Sequence, residues 1–228
     1  TDSFKKRLEE KGISPQKIVV IKNGVDLTKF KPAEKDRKLL KELHLEGKKI
    51  IGYIGTHGMA HKLDFILQCA AGMDGKNNYH FLLIGTGAEK KNLLKRKEQL
   101  DIKNVTMLDP VSKQEVKRYI SILDIALINL RKSDLFTTVI PSKIFENAGM
   151  EIPILMGVDG EARQIVESYQ AGLCFEPESE DDFNRKLHLL LSDPALYEKC
   201  KEGCRKLAHD FNRKLLAEQM LHIIKETK

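Results

Sequence analysis

Ile50-Ile51-Gly52-Tyr53-Ile54-Gly55-Thr56-His57-Gly58 runs from a short, largely apolar stretch straight into a glycine-bounded loop, and residues 62–71 then carry apolar side chains at helical spacing. A strand that ends in a glycine turn and feeds a helix is the unit from which parallel sheets are built, because parallel neighbours need a crossover between them. The unit recurs at once: residues 81–84 form an apolar run ending in Gly85-Thr86-Gly87, with helical spacing over residues 89–99. Further along, strands are expected at 105–108, 125–130, 153–156 and 173–175, alternating with helices at 112–120 (capped by Ser112), 142–150 and 161–169. Three more helices are expected at 181–191, 194–209 and 212–225. Upstream, a helix over 4–11 capped by Asp2 or Ser3, a strand over 17–21 closed by Asn23-Gly24, and a helix over 35–43 complete the pattern. The strands are almost wholly apolar, as strands buried on both faces are. The expected fold is therefore α/β: a parallel sheet with helices on both faces.

Composition agrees with a folded domain. The 228 residues are 41% hydrophobic and 32% charged, with a formal net charge of +6. That charge suits nucleic acid, acidic lipid or a phosphorylated small molecule, or else a lysine-rich solvated surface. Basic residues are interspersed with Glu and Asp and have no aromatic platform beside them, which argues against nucleic acid. No apolar run approaches the ~18 residues of a membrane span. The four cysteines, Cys69, Cys174, Cys200 and Cys204, form no CxxC pair and are expected to be reduced thiols, with no metal site. The chain opens at Thr1 without a methionine or a signal peptide and is expected to be a fragment of a longer protein.

In parallel sheets, ligands bind beyond the carboxyl ends of the strands. That rule points to residues 55–59, 85–89, Pro110-Val111 and 138–143, and predicts that the four segments meet in space. The loop Gly55-Thr56-His57-Gly58-Met59 lets backbone N–H groups approach a phosphate, though a tight turn needed only for folding is the alternative. Neither GxGxxG nor GxxxxGK[ST] is present, so the dinucleotide fingerprint and the P-loop do not apply. His57 and His61 flank the loop, where either could donate to phosphate or titrate near neutrality, and Lys62 could reach a diphosphate. Gly85, Gly87 and Glu89 form a second turn, which is either structural or ligand-facing, and Val111 could present its backbone to a nucleobase. In Thr138-Val139-Ile140-Pro141-Ser142-Lys143-Ile144-Phe145-Glu146, a helix start with a proline at its expected first position joins a lysine and an acid. Unpaired N–H groups and Lys143 suit an anion, and Glu146 suits sugar hydroxyls, although an acid in a first helical turn also favours the dipole. Asp159-Gly160-Glu161 reads as a capping turn. No Ser-His-Asp, HExxH or paired-carboxylate pattern stands out.

In this order the motifs resemble the C-terminal, donor-binding half of a GT-B glycosyltransferase of family 4, the group 1 glycosyltransferases, over nearly the whole chain. Val20-Ile21-Lys22-Asn23-Gly24-Val25-Asp26 is similar to the family's "PNGVD" stretch, and Gly52 to Met59 with Leu63-Asp64 to its "YxGTHG" loop. Ile84 to Glu89 resembles "GxGPE", and Ile140 to Glu146 with Ile152-Pro153-Ile154 resembles "PSKxxEYMAxGKPV". Asp159 to Ala162 and Ala171-Gly172-Leu173 fit its end. The "GTHG" and "PSKxFE" forms are similar to a subgroup that assembles bacterial surface polysaccharides, including N-acetylfucosamine transferases.

The resemblance implies a Rossmann-like half of a GT-B fold and a retaining transfer from a nucleotide-diphospho-sugar, UDP-linked in the first instance, to a glycan or lipid-linked acceptor. No metal or other cofactor is implied. It implies Lys143 and Glu146 as the residues serving catalysis, with Glu146 on the ribose, and Ser142-Lys143 and the loop from Gly55 to Met59 on the diphosphate. Gly85 to Glu89 and Val111 would lie near the base, and Thr138 and Pro141 complete the donor site. It also implies that residues 1–16 are the tail of an N-terminal acceptor domain, 17–210 the donor domain and 211–228 a helix crossing back. A cytoplasmic location follows, with peripheral association at the inner membrane face as a variant for the full-length protein. Two departures stand out. Many members carry a pair of glutamates, the first of which falls on Thr138; many carry an Arg and a Lys in the first loop, where this chain has Thr56 and His61. The fragment alone is expected to bind donor and turn over little. The rival readings are a nucleotide-sugar epimerase of the same architecture and a non-enzymatic basic module for nucleic acid or acidic lipid.

Overall fold

The structure is a computed structural model that describes residues 1–75 and 78–226. Six parallel strands form one sheet: β1 (Lys49–Ile54), β2 (Tyr79–Ile84), β3 (Val105–Leu108), β4 (Ile125–Asn129), β5 (Ile154–Gly157) and β6 (Gly172–Cys174). Their order is β3-β2-β1-β4-β5-β6. The chain thus winds outward from β1 in one direction, returns to β4 beside it, and winds outward in the other, the doubly wound arrangement.

The helices are α1 (Asp2–Glu10), α2 (Arg37–Glu42), α3 (Leu63–Met73), α4 (Lys90–Gln99), α5 (Val116–Ser121), α6 (Lys143–Gly149), α7 (Glu161–Ser168), α8 (Glu180–Ser192), α9 (Pro194–Asp210) and α10 (Arg213–Glu226). Strand side chains alternate between faces, and each face has its own core. Ile50, Leu82 and Ile128 pack with Phe145 of α6 on one side. Ile51, Tyr53, Phe81 and Leu127 pack with α3 and α8 on the other, around the aromatic group Phe65, Phe81, Phe175 and Phe183. The expected parallel sheet with helices on both faces is what forms.

Several local expectations change. Residues 17–21 are not a strand. A 3₁₀ turn, Pro15–Lys17, precedes an extended segment whose one ladder contact among the described residues is the bridge Val25↔Asn212. An apolar run becomes a strand only where a sheet edge receives it, and here Val19 is 58% exposed. Helix α5 begins at Val116, later than expected, after a turn that carries the expected Ser112 cap: Glu115 N–H donates to Ser112 Oγ (3.2 Å) and Ser112 Oγ–H donates to Glu115 Oε2 (2.8 Å). Thr1, not Asp2 or Ser3, caps α1: its hydroxyl oxygen accepts the Phe4 N–H (3.2 Å), while the N–H groups of Asp2 and Ser3 donate to the Glu161 carboxylate at 3.1 Å each. A 3₁₀ segment, Asp134–Thr138, forms where no element was expected. Residues 227–228 of the expected crossover segment lie outside the described residues.

Candidate functional site

The crevice of this sheet lies between β1 and β4. The two strands pair only at Ile51↔Ile125 and Gly52↔Ala126, so they part beyond Gly52, whereas β1 and β2 stay in register through Ile54↔Ile84. Beyond β1 and β2 the two glycine loops nest. Gly55 N–H donates to Ile84 O (2.9 Å), His57 N–H to Thr86 O (2.8 Å), and Glu89 N–H to His57 O (2.9 Å). The approach is so close that a Cβ on Gly85, whose φ is +146°, would lie 1.8 Å from Gly55 O. Lys90 holds the seam from α4, its Nζ donating to Gly85 O (3.0 Å) and Leu108 O (2.6 Å). Beside the seam a groove of about 260 Å³ is lined by Gly55, Thr56, Gly85, Thr86, Pro110 and Val111. Three of the four segments expected at this edge therefore meet there.

The fourth arrives through Lys143. Its Nζ stands 3.9 Å over the centroid of the Tyr53 ring, and a Cβ on Gly55 would lie 2.6 Å from it. Desolvation lowers the Lys143 pKa to about 8, with Glu146 pulling weakly the other way. Burial raises that of Glu146, opposed by Arg213, Lys143 and Lys113. Lys143 and Glu146 lie three residues apart on α6, where opposite charges commonly pair. Neither side chain has an ion-pair or hydrogen-bond partner among the described residues. Two half-buried, oppositely charged groups thus stand unpaired at the mouth of the crevice. The positive charge there comes from the lysine more than from the helix, because α6 spans only Lys143–Gly149. Pro141, expected at the first helical position, instead accepts the Ile144 N–H (3.1 Å) from before the helix.

Other expected residues are distributed differently. Gly58, Met59, Lys62 and Glu89 line a second groove of about 570 Å³ with Arg131 and Lys132. There Lys62, in a left-handed conformation (φ 47°), already pairs with Asp64 at 2.8 Å. His57 is no titrating surface donor. It is fully buried, neither ring nitrogen has a well-formed hydrogen bond among the described residues, and desolvation lowers its pKa to about 4, with Lys90 and Lys143 adding to the effect and the Ile84 backbone opposing it. His61, half-buried, is shifted down for the same first reason. Thr138 is nearly buried, and its hydroxyl donates to Leu135 O (3.1 Å). Gly87 packs on the His57 backbone.

Sequence reasoning passed over Tyr53, Lys90, Asn129 and Arg213. Asn129 ends β4 buried, and its amide donates to His61 O (2.9 Å), tying the segment after the first loop to the strand beside β1. Two signals were available: a polar residue closing a buried strand, and a tyrosine in an otherwise aliphatic one.

Comparison with known proteins bears on this arrangement. The chain is 28% identical over 144 residues to the "Putative teichuronic acid biosynthesis glycosyltransferase TuaH" of Bacillus subtilis (strain 168), covering 61% of this chain and 34% of that protein. It therefore spans about a third of that curated relative. Among solved structures it is similar to HepE of Anabaena in complex with UDP-glucose, with 15% identity and a TM-score of 0.85 over 99% of this chain and 62% of that one. It is also similar to the C-terminal domain of the group 1 family glycosyl transferase LpcC of Francisella tularensis, with 20% identity and a TM-score of 0.66 over 82% of this chain and 97% of that one. These structural likenesses establish the fold as the Rossmann-like half of a GT-B architecture. A family model, "Glycosyl transferases group 1", matches residues 34–207, well over half of the sequence, and the chain belongs to that family.

Proposed function

We propose that this chain is the donor-binding half of a retaining glycosyltransferase that takes a sugar from a UDP-sugar. The observation that carries the proposal is the unpaired Lys143 ammonium at the lip of Gly55, one helical turn from the unpaired Glu146 and beside the groove ending at Val111. A nucleoside diphosphate fits that order of chemistry. Its base enters the groove of Gly85, Pro110 and Val111, its ribose hydroxyls donate to Glu146, and its diphosphate lies between Gly55 and Lys143. When the sugar–phosphate bond breaks, negative charge grows on the diphosphate, and a fixed ammonium in a poorly solvated site stabilises it strongly. With a pKa near 8, Lys143 carries its proton at neutral pH, and a bound dianion holds the proton more firmly.

The name of the similar TuaH, a putative teichuronic acid biosynthesis glycosyltransferase, supports a role in polysaccharide assembly, and the proposal adds a glycan or lipid-linked acceptor held by an N-terminal domain. In this proposal residues 1–16 lead from that domain, 17–210 bind donor and 211–228 return toward it. Among the described residues no helix is long and apolar enough to cross a membrane. The proposal places the whole protein in the cytoplasm or at the inner membrane face.

Calorimetric titration of UDP and uridine tests the assignment. Lys143→Ala should weaken UDP by roughly 10–100-fold, the worth of a charge-assisted hydrogen bond, and leave uridine nearly unchanged. Glu146→Ala should weaken both alike. Equal losses for both ligands in Lys143→Ala, or intact uridine affinity in Glu146→Ala, would overturn the corresponding role.

A further inference from the structure

Tyr53 has two attachments that join separate parts of the site. It points from β1 to the core face shared with Ile51, and it is fully buried. Its hydroxyl donates to Thr56 O at 2.8 Å, in the middle of the first glycine loop. Its ring lies under Lys143 Nζ at 3.9 Å, on a different element. His57 and His61 complete its surroundings, with ring centroids at 6.0 and 5.8 Å, and both are shifted toward the neutral form. Lys143 is therefore the cation that meets this ring.

The contact answers a question the site poses. Lys143 has no carboxylate partner among the described residues, although Glu146 lies one turn away. A flexible four-carbon stem would not hold a fixed place without some attraction, and a desolvated ammonium loses its charge unless something favours the charged form. An aromatic face supplies both, since its quadrupole attracts the cation without neutralising it or occupying its hydrogen-bond donors. A carboxylate would hold the lysine equally well but would compete with an incoming phosphate.

We infer that Tyr53 is a positioning residue for diphosphate recognition: its ring holds the Lys143 ammonium at Gly55 while its hydroxyl pins Thr56, so that lysine and loop meet the diphosphate as one unit. The inference rests on the reading of Lys143 as the diphosphate ligand. It assigns the two halves of the side chain separable effects. The ring acts through Lys143 and should matter only for ligands with phosphate. The hydroxyl acts through the loop that lines the base groove and should matter for uridine and UDP alike.

The experiment measures the ratio of UDP to uridine affinity in the 228-residue chain. Tyr53→Leu, which removes the ring, should lower the ratio about tenfold, as expected for a desolvated cation–π contact. Tyr53→Phe keeps the ring, and should preserve the ratio while weakening both ligands. In a Lys143→Ala background, Tyr53→Leu should change the ratio no further. Should Tyr53→Leu unfold the chain, as thermal melting would reveal, Tyr53→Met fills the same space with an unbranched chain and gives the same readout. A ratio left intact by loss of the ring, while Lys143→Ala collapses it, overturns the role of Tyr53 alone. A ratio left intact by Lys143→Ala overturns the diphosphate reading itself.

Discussion

Gly55→Ala and Gly85→Ala place the same methyl group on neighbouring loops, and the structure predicts different outcomes. Both glycines have backbones outside the range of L-residues, at φ +156° and +146°, so each substitution should cost about 1–3 kcal/mol in strain. What the new Cβ meets separates them. At Gly55 its nearest neighbours are Lys143 Nζ at 2.6 Å and Cε at 3.3 Å, the free end of a flexible side chain that can swing aside. At Gly85 it meets the Gly55 carbonyl oxygen at 1.8 Å and its carbon at 2.9 Å, which can move only if the loops separate. Separation puts at risk the hydrogen bonds Gly55 N–H to Ile84 O, His57 N–H to Thr86 O and Glu89 N–H to His57 O. At about 0.5–1.5 kcal/mol each, their loss brings the expected destabilisation by Gly85→Ala to roughly 3–7 kcal/mol. Urea unfolding of the two variants measures the difference. Ligand titration adds a second axis: Gly55→Ala, by displacing the Lys143 ammonium, should weaken UDP more than uridine. Equal destabilisation by the two substitutions would refute the steric argument. Undiminished UDP affinity in a folded Gly55→Ala chain would refute the placement of Lys143.

Three further perturbations test other parts of the structure. His57 has its pKa lowered from 6.5 to about 4, so the unfolded chain takes up its proton before the folded one does. The stability it contributes is full above pH 6.5 and is lost as the pH falls toward 4. His57→Gln should make urea midpoints plotted against pH less steep in that window, leaving the slope due to His61, which is also lowered, and His80, lowered to about 4; an unchanged slope would contradict burial of the imidazole. Phe183 is fully buried, edge-on to Phe175 at 5.1 Å and Phe65 at 6.1 Å, so Phe183→Ala should cost about 3–5 kcal/mol in denaturant unfolding, and a trivial loss would disprove the packing of α8 on the sheet. Glu161 accepts from Asp2 N–H, Ser3 N–H and the Ser3 hydroxyl, and pairs with Lys22 at 3.2 Å. Glu161→Ala should therefore speed hydrogen exchange across Asp2–Glu10 without comparable change in the strands, and protected α1 amides would show that the helix is held by something else.

Element type was legible because it depends on local spacing. The apolar runs at β1, β2 and β4 and the glycine turns behind them announce strands buried on both faces, and six strands formed. Residues 17–21 show the limit of that signal. Ile18-Val19-Val20-Ile21 is as apolar as β1, but strand formation needs a neighbour to accept its hydrogen bonds, and the segment's nearest pairing is Val25 with the junction of α9 and α10. Strand order was likewise beyond reach of spacing, since nothing in one strand names the next.

The chemical character of the site follows the same division. A lysine and a glutamate one turn apart after a strand are visible as a candidate anion and hydroxyl site. Their spacing, however, predicts a salt bridge to each other, which would leave little attraction for a ligand. Instead Lys143 lies over Tyr53, contributed from a strand ninety positions earlier, and Glu146 feels the charges of Arg213 and Lys113. His57 makes the converse case: its polar sequence suggested a titrating donor, and the nesting of the second glycine loop over it removes it from water. Residue identity therefore indicates which groups can carry charge, while the dielectric and the partners that decide whether they do are properties of the packed crevice. In the proposed reading, Lys143 is left to meet a phosphate because an aromatic face, rather than a carboxylate, holds it in place.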